Sequence, residues 1–210
     1  QKNVVEKLLN AYIKTLEGYA SKSYLSSEQA VYIDELEQEL EKEAYRAKYD
    51  EQTDPLTGVL NKTYFVRRMK ELAGREVVPT GVICVNINDW MYAHVHYGEE
   101  ESDRLITIVA DILKKNADTQ TIIGRVDGDI FHVLMPLSEE EEVQEYCRKI
   151  EEDCLQFQDD KLAPSVATGY VIKTNVEEDF DQLFSDAEYV MFEHKLQTKN
   201  APGYRERLEK

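Results

Sequence analysis

The stretch Arg125-Val126-Asp127-Gly128-Asp129-Ile130-Phe131 sets a carboxylate on each side of a glycine. Asp-Gly between two apolar runs is a strong hairpin signal, so turn chemistry alone accounts for it. The competing reading is a residual contact to phosphate or metal. Lys195 and Lys199 stand four residues apart near the end of the last predicted helix. The helix dipole favours cations there, and the same pair would suit a bound phosphate. Asp103 fits the first turn of a predicted helix, where an acid is favourable on the same grounds. His94-x-His96 has metal-ligand spacing, but without a nearby Cys or firm carboxylate the two read as polar groups of a loop. His132 falls mid-strand and His194 on the inward face of the last helix, neither with a partner evident in the sequence. No Ser-His-Asp or Cys-His arrangement and no Walker-type glycine loop occurs.

Composition narrows the classes. The 210 residues are 42% hydrophobic, with 13 Tyr and 6 Phe, enough to build a core and to exclude wholesale disorder. That length suits one medium domain with an appendage. Against 25 basic residues stand 42 acidic ones, a formal charge of −17. Repulsion of that size argues against nucleic acid or anionic membranes as partners. Residues 138–160 concentrate ten carboxylates against Arg148 and Lys149, which reads as a solvated helix face or an acidic docking surface. No apolar run approaches a membrane span, and no leader pattern is present. Gln at position 1 is what a fragment of a longer protein would show. Cys84, Cys147 and Cys154 are odd in number and lack C-x-x-C spacing. Cys147 and Cys154 share an apolar face with Val143, Tyr146, Ile150 and Phe157, so core thiols in a reducing cytoplasm are expected.

Two parts are expected to position these groups. Residues 1–50 read as helix, break, helix. Val4, Leu8, Tyr12 and Leu16 recur at helical spacing, and Ala20–Ser27 is the break. From Glu28 to Asp50, Ile33, Leu36, Leu40, Ala44 and Ala47 form one stripe that needs cover, from a parallel partner helix in a homodimer or from the following domain. From Glu51 onward strands and helices alternate. Asn61 is an N-cap for a helix over Lys62–Leu72. Residues 81–87 form a continuous apolar strand buried on both faces. Leu105, Ile108, Val109 and Ile112 mark a helix, and strands near Thr121–Val126 and Ile130–Met135 flank the Asp-Gly turn. An acidic helix over 139–157, a strand near Ser165–Ile172 and a helix over Asp179–Gln197 complete the chain. The expected class is α+β (mixed α/β), a central sheet flanked by helices and preceded by a helical segment.

These landmarks, in this order, resemble the GGDEF domain, whose active members are diguanylate cyclases. Asp54–Phe65, DPLTGVLNKTYF, resembles the opening D-x-L-T-G-L-x-N-R-R, with Lys62 where Arg is usual. Val85–Ile106 aligns without a gap on D-I-D-x-F-K-x-x-N-D-x-Y-G-H-x-x-G-D-x-x-L. RVDGDIF stands where R-x-G-G-D-E-F belongs, and Asp186–Asn200 matches the closing A-D-x-A-M-Y-x-A-K-x-x-G-K-N. The resemblance runs from about Gln52 to Asn200. It implies a nucleotide-cyclase-like sheet, with 1–50 as a helical signalling or dimerisation segment and 51–210 as a degenerate GGDEF domain.

Active relatives of this kind condense two GTP into cyclic di-GMP with divalent metals, a job that asks for carboxylates because Mg²⁺ prefers anionic oxygen. The resemblance puts the metal ligands at Asn86, Asp129 and Ile130, so one carboxylate of three is kept and Asp129 is the remaining metal candidate. Asp127 replaces the first signature glycine ahead of Gly128. The guanine-reading asparagine aligns with His94, Met91 replaces the Lys of F-K, Glu99 the His of Y-G-H, and Ser102 a Gly. Asp103 keeps the guanine-contacting acid, and Lys195 and Lys199 the phosphate-facing cations. The product-inhibition motif would fall at Asp118–Thr121 and is absent. The implied function is a regulatory module that cannot cyclise GTP and either senses GTP or another nucleotide or relays a signal through its helix, with Mg²⁺ relevant only to residual nucleotide binding. The alternatives are a weak diguanylate cyclase or NTP hydrolase, and a pure docking scaffold using the acidic helix 139–157. A cytoplasmic setting follows, either free or as the cytosolic part of a larger or membrane-anchored protein.

Overall fold

The computed structural model describes residues 2–19, 27–157, 162–204 and 208, in two compact units, 1–52 and 53–210. The first unit is a pair of helices, α1 (Lys2–Tyr19) and α2 (Ser27–Gln52), packed against one another, with Tyr12 Oη donating to Glu37 at 2.5 Å. The expected break at Ala20–Ser27 lies, except for Ser27, outside the described residues, as does the Val4 side chain. Cover for the α2 stripe comes from α1. Leu36 is buried and Ile33, Leu40 and Ala47 are half-buried, but Ala44 is exposed and Glu43 takes its place, because the inward face follows 33, 36, 40, 43, 47. On α1, Leu8 and Tyr12 are half-buried while Leu16 is exposed beside Leu9 and Ile13.

The second unit contains β1 (Leu60–Asn61), α3 (Lys62–Ala73), β2 (Thr80–Ile87), α4 (Trp90–Tyr97), α5 (Glu99–Asn116), β3 (Ile122–Asp127), β4 (Ile130–Pro136), α6 (Glu140–Gln156), β5 (Val166–Lys173) and α7 (Phe180–Asn200). The sheet order is β1-β3-β4-β2-β5. Only β1 with β3 is parallel. Each predicted strand and helix is present within a few residues, and Asn61 accepts from the Tyr64 amide as a cap. Two elements were not expected: the two-residue β1, and α4, which takes up the segment read as a loop around His94 and His96. Phe157 is the C-cap of α6 rather than part of it.

All eight residues of β2 are buried because both faces of the central strand are covered. Ile83, Val85 and Ile87 point into the core shared with α5 and α6, where Leu105, Val109, Val143 and Ile150 lie. Val82 and Cys84 point the other way, toward α3 and α7, which supply Phe65, Met69, Phe184, Ala187 and Met191. The period-2 alternation of a strand puts Asn86 on this second face as well.

Gly169, paired with Cys84 across β2 and β5, fixes how closely α7 approaches. A Cβ there would lie 2.1 Å from the Met191 amide nitrogen and 2.3 Å from the Ala187 carbonyl oxygen. The start of α7 is held by Lys173, only 2% exposed, whose ammonium donates to the carbonyls of Asn175, Val176 and Glu178 and stands over the Phe180 ring. Gly169→Ala forces backbone against backbone, so α7 has to move. The expected cost is at least about 2 kcal/mol of unfolding free energy, read by urea denaturation. A variant within about 0.5 kcal/mol of the parent would show that α7 does not sit this close.

Candidate functional site

The β3–β4 turn is built by its own charges. Asp127 is exposed and one of its carboxylate oxygens accepts from the Gly128 amide at 2.8 Å, which braces the turn. Arg125 donates from Nε and Nη2 to the Gly128 carbonyl at 3.1 and 2.8 Å, and from Nη1 to both Asp54 carboxylate oxygens at 3.2 and 3.3 Å. Asp54 in turn accepts from the Thr57 amide and hydroxyl. One largely shielded guanidinium thus ties the opening loop to the hairpin. Gly128 lies over Trp90, whose Cη2 would be 3.4 Å from an added Cβ.

Beneath the turn, Asn86 is 4% exposed and makes two side-chain bonds. Its Nδ2 donates to Asp129 Oδ2 at 2.9 Å, and its Oδ1 accepts from Lys195 Nζ at 2.5 Å. The amide orientation is fixed by its neighbours, since the reverse would face oxygen to carboxylate and NH₂ to ammonium. The three groups form a line from cation to amide to carboxylate. Burial pulls the Lys195 ammonium below the usual lysine range, Asp129 draws it back up, and Lys199 lowers it again. Ile130 is half-buried and packs with Cys84, Ala187 and Met191.

As a cradle for Mg²⁺ this set does not fit. It offers one carboxylate, half engaged by an amide N–H, a branched alkane where an acid would stand, and an ammonium where a metal would seek anionic oxygen. Asn88, also on the switch from strand to α4, donates to Ser165 Oγ at 3.0 Å. Its buried Oδ1 and the buried Trp90 Nε1 have no hydrogen-bond partner among the described residues.

Other candidates disperse. Lys199 pairs at 3.2 Å with Asp89, whose side chain is 7% exposed and also accepts from the Tyr204 hydroxyl. Asp89 occupies the left-handed region at φ 59° where β2 turns into α4. His94 is exposed, stacks on Trp90, and its Nδ1 is 3.2 Å from Ser102 Oγ. Because that hydroxyl hydrogen goes to the Glu99 carbonyl, His94 is the donor. His96 lies instead against Tyr92, so the two histidines share no ligand position. Asp103 is half-buried on α5, its carbonyl accepting from Thr107. His194 meets the Thr168 backbone through Nδ1. All three cysteines are buried and none is in a disulfide.

Sequence reasoning missed one group on the α7 face. Cys84, His132 and Glu188 bring a thiol, an imidazole and a carboxylate within 4.8 Å of one another. Burial pushes the Cys84 thiol up to about 12 and holds the His132 imidazole below its ordinary value. The cross-strand pairing of Cys84 with His132 was implicit in two strands, but their register was not. Acidic α6 buries Val143, Tyr146, Cys147, Ile150 and Cys154, and its other face is laced by Arg148 to Glu145 and Glu152 and by Lys115 to Asp153.

Comparison with known proteins gives a consistent picture. Residues 51–201 match the family model "Diguanylate cyclase, GGDEF domain". A probable diguanylate cyclase of Escherichia coli K12, DgcT, is 26% identical over 101 residues, which is 48% of this chain and 22% of that protein. The match therefore spans only about a fifth of the curated relative. The coiled coil and GGDEF domain of DgcB from Caulobacter crescentus, in complex with c-di-GMP, superposes with a TM-score of 0.70 at 17% identity, covering 82% of this chain and 96% of that one. Diguanylate cyclase SiaD of Pseudomonas aeruginosa, in complex with its activator SiaC, gives 0.65 at 16% identity, covering 93% and 75%. The Vibrio cholerae LapD S helix–GGDEF–EAL chain, bound to c-di-GMP, gives 0.61 at 18%, covering 70% and 36%.

Lys195→Met removes the ammonium and leaves Asn86 Oδ1 a buried, unpaired acceptor. We expect a loss of about 1–2 kcal/mol in unfolding free energy by chemical denaturation. A loss under about 0.5 kcal/mol would show that ammonium and amide are not bonded.

Proposed function

The chain belongs to the diguanylate cyclase GGDEF family, and we propose that this member is a regulatory domain that has given up condensing GTP. The observation that carries this reading is the Lys195–Asn86–Asp129 line. Phosphoryl transfer in two-metal sites relies on cations held by carboxylates against the attacking and leaving oxygens. Here a neutral amide bonds one oxygen of the one remaining signature carboxylate, and a lysine bonds the amide oxygen. A divalent cation would have to break both bonds and stand beside an ammonium, with Ile130 unable to help. Asp127 adds a side chain where the family brings backbone close to phosphate.

The regulatory roles follow from what remains. His94 and Asp103 occupy the guanine-facing positions of the family pattern. A nucleotide bound there without metal would recruit Lys195 away from Asn86 or Lys199 away from Asp89, which couples occupancy to the position of α7. Residues 1–50 would carry the signal in or out, with homodimerisation through α1, whose Leu9, Ile13 and Leu16 are exposed at helical spacing. Relatives solved with c-di-GMP or with a protein activator make a nucleotide and a protein the natural inputs to test, in a cytoplasmic setting.

The test is calorimetric titration of GTP into the chain with Mg²⁺ and again with EDTA, alongside an assay for cyclic di-GMP. No Mg²⁺-dependent binding and no product are expected. The triple change Asn86→Asp, Asp127→Gly and Ile130→Glu should strengthen Mg²⁺-dependent GTP binding at least about tenfold, as restored charged ligands would. Tight binding by the parent that vanishes in EDTA, or turnover of GTP, would refute the proposal.

A further inference from the structure

We infer that Cys84, His132 and Glu188 form a binding site for a zinc-class divalent transition-metal ion. The three come from three elements: Cys84 from the middle of β2, His132 from its cross-strand partner β4, and Glu188 from α7 above them. Their donor atoms all lie within 4.8 Å of one another, with His132 Nε2 3.2 Å from Glu188 Oε1. Around tetrahedral zinc, bond lengths of about 2.0–2.3 Å place ligands roughly 3.3–3.8 Å apart. Glu188, whose side chain is 49% exposed, can rotate to adjust its share of the spacing.

The donor set is selective. A thiolate and an imidazole suit zinc and its neighbours, whereas Mg²⁺ and Ca²⁺ ask for oxygen throughout. The imidazole is already aimed. Its ring is stacked on Phe184 at 4.1 Å and 4°, with Phe65 edge-on at 5.9 Å, so its plane is set by packing. A cavity of about 300 Å³ between α3 and α7 is lined by two of the three donors, His132 and Glu188, together with Lys62 and Asp181, while Cys84 is fully buried and does not line it. When the ion binds, the Cys84 S–H bond breaks, sulfur keeps the electron pair as a ligand, and the proton leaves to solvent.

The location gives the site a consequence. Cys84 and His132 are one cross-strand pair, and Asn86 with Ile130 is the next on the same face. A metal at the first pair would pin α7 at Glu188 one helical stretch before Lys195, and so steady the Lys195–Asn86 bond. The site does not depend on whether the neighbouring pocket takes nucleotide.

The experiment is titration of the untagged chain with Co²⁺ as a spectroscopic probe and Zn²⁺ as competitor. One equivalent of Co²⁺ should produce a thiolate charge-transfer band that Zn²⁺ displaces. Cys84→Ala should abolish the band. Glu188→Gln, an exposed change that leaves the core intact, should weaken binding at least about tenfold, as loss of a metal-coordinating contact does. Changing Cys147 and Cys154 together to Ala should leave the band in place. No band, or a band and affinity that Glu188→Gln leaves unaltered, would overturn the site and reduce the cluster to a His132–Glu188 hydrogen bond above an inert thiol.

Discussion

A buried amide has both a donor and an acceptor to satisfy, and at Asn86 the partners come from two other parts of the chain. Asp129 arrives on the β3–β4 turn and Lys195 on α7, 43 residues after and 109 residues after Asn86 respectively. The amide therefore sets the turn, the central strand and the last helix relative to one another. A carboxylate at the same place would face Asp129 as a like charge and would need a cation between them. Metal dependence and self-sufficiency are thus alternative solutions to one electrostatic problem. On the proposed function, this chain has the second.

The rest of the second unit serves that arrangement. Burial of β2 on both faces gives the site a rigid floor, and the absence of a side chain at Gly169 lets α7 lie against β5 closely enough for its later residues to reach β2. Lys173 ties together three carbonyls just ahead of the helix through charge-assisted bonds, and Asp179 caps its first turn by accepting from the Gln182 amide. On the opposite edge, Arg125 holds the turn down through Gly128 and Asp54. Removing any one of these restraints loosens the same three-way junction.

Much of this was legible in the sequence, and the illegible part has a common cause. The β2 run, the Asp-Gly turn, the Asn61 cap and the inward stripe of α6 are local patterns, and local patterns survive without tertiary information. The four family-like strings also placed Asn86, Asp129 and Lys195 in one pocket by resemblance. What they could not give was the bonding. By resemblance Lys195 and Lys199 are phosphate-facing cations, and the structure adds that Lys195 bonds Asn86 and Lys199 pairs with Asp89. α4 was hidden because WMYAHVHY has no polar face to set a period, and β1 because two residues show none. The Arg125–Asp54 pair and the Cys84–His132–Glu188 group depend on strand register and helix docking, which no spacing rule within a segment encodes.

The Asn86 side chain joins turn, strand and helix, and NMR of its amide group is the most direct measurement. With the chain isotopically labelled, the Asn86 NH₂ resonances should be protected from solvent exchange, and they should stay in place when Mg²⁺ is added, with or without GTP. Loss of protection or a saturable Mg²⁺-dependent shift at Asn86 would mean that the amide yields to the metal, and the self-sufficient site would be contradicted.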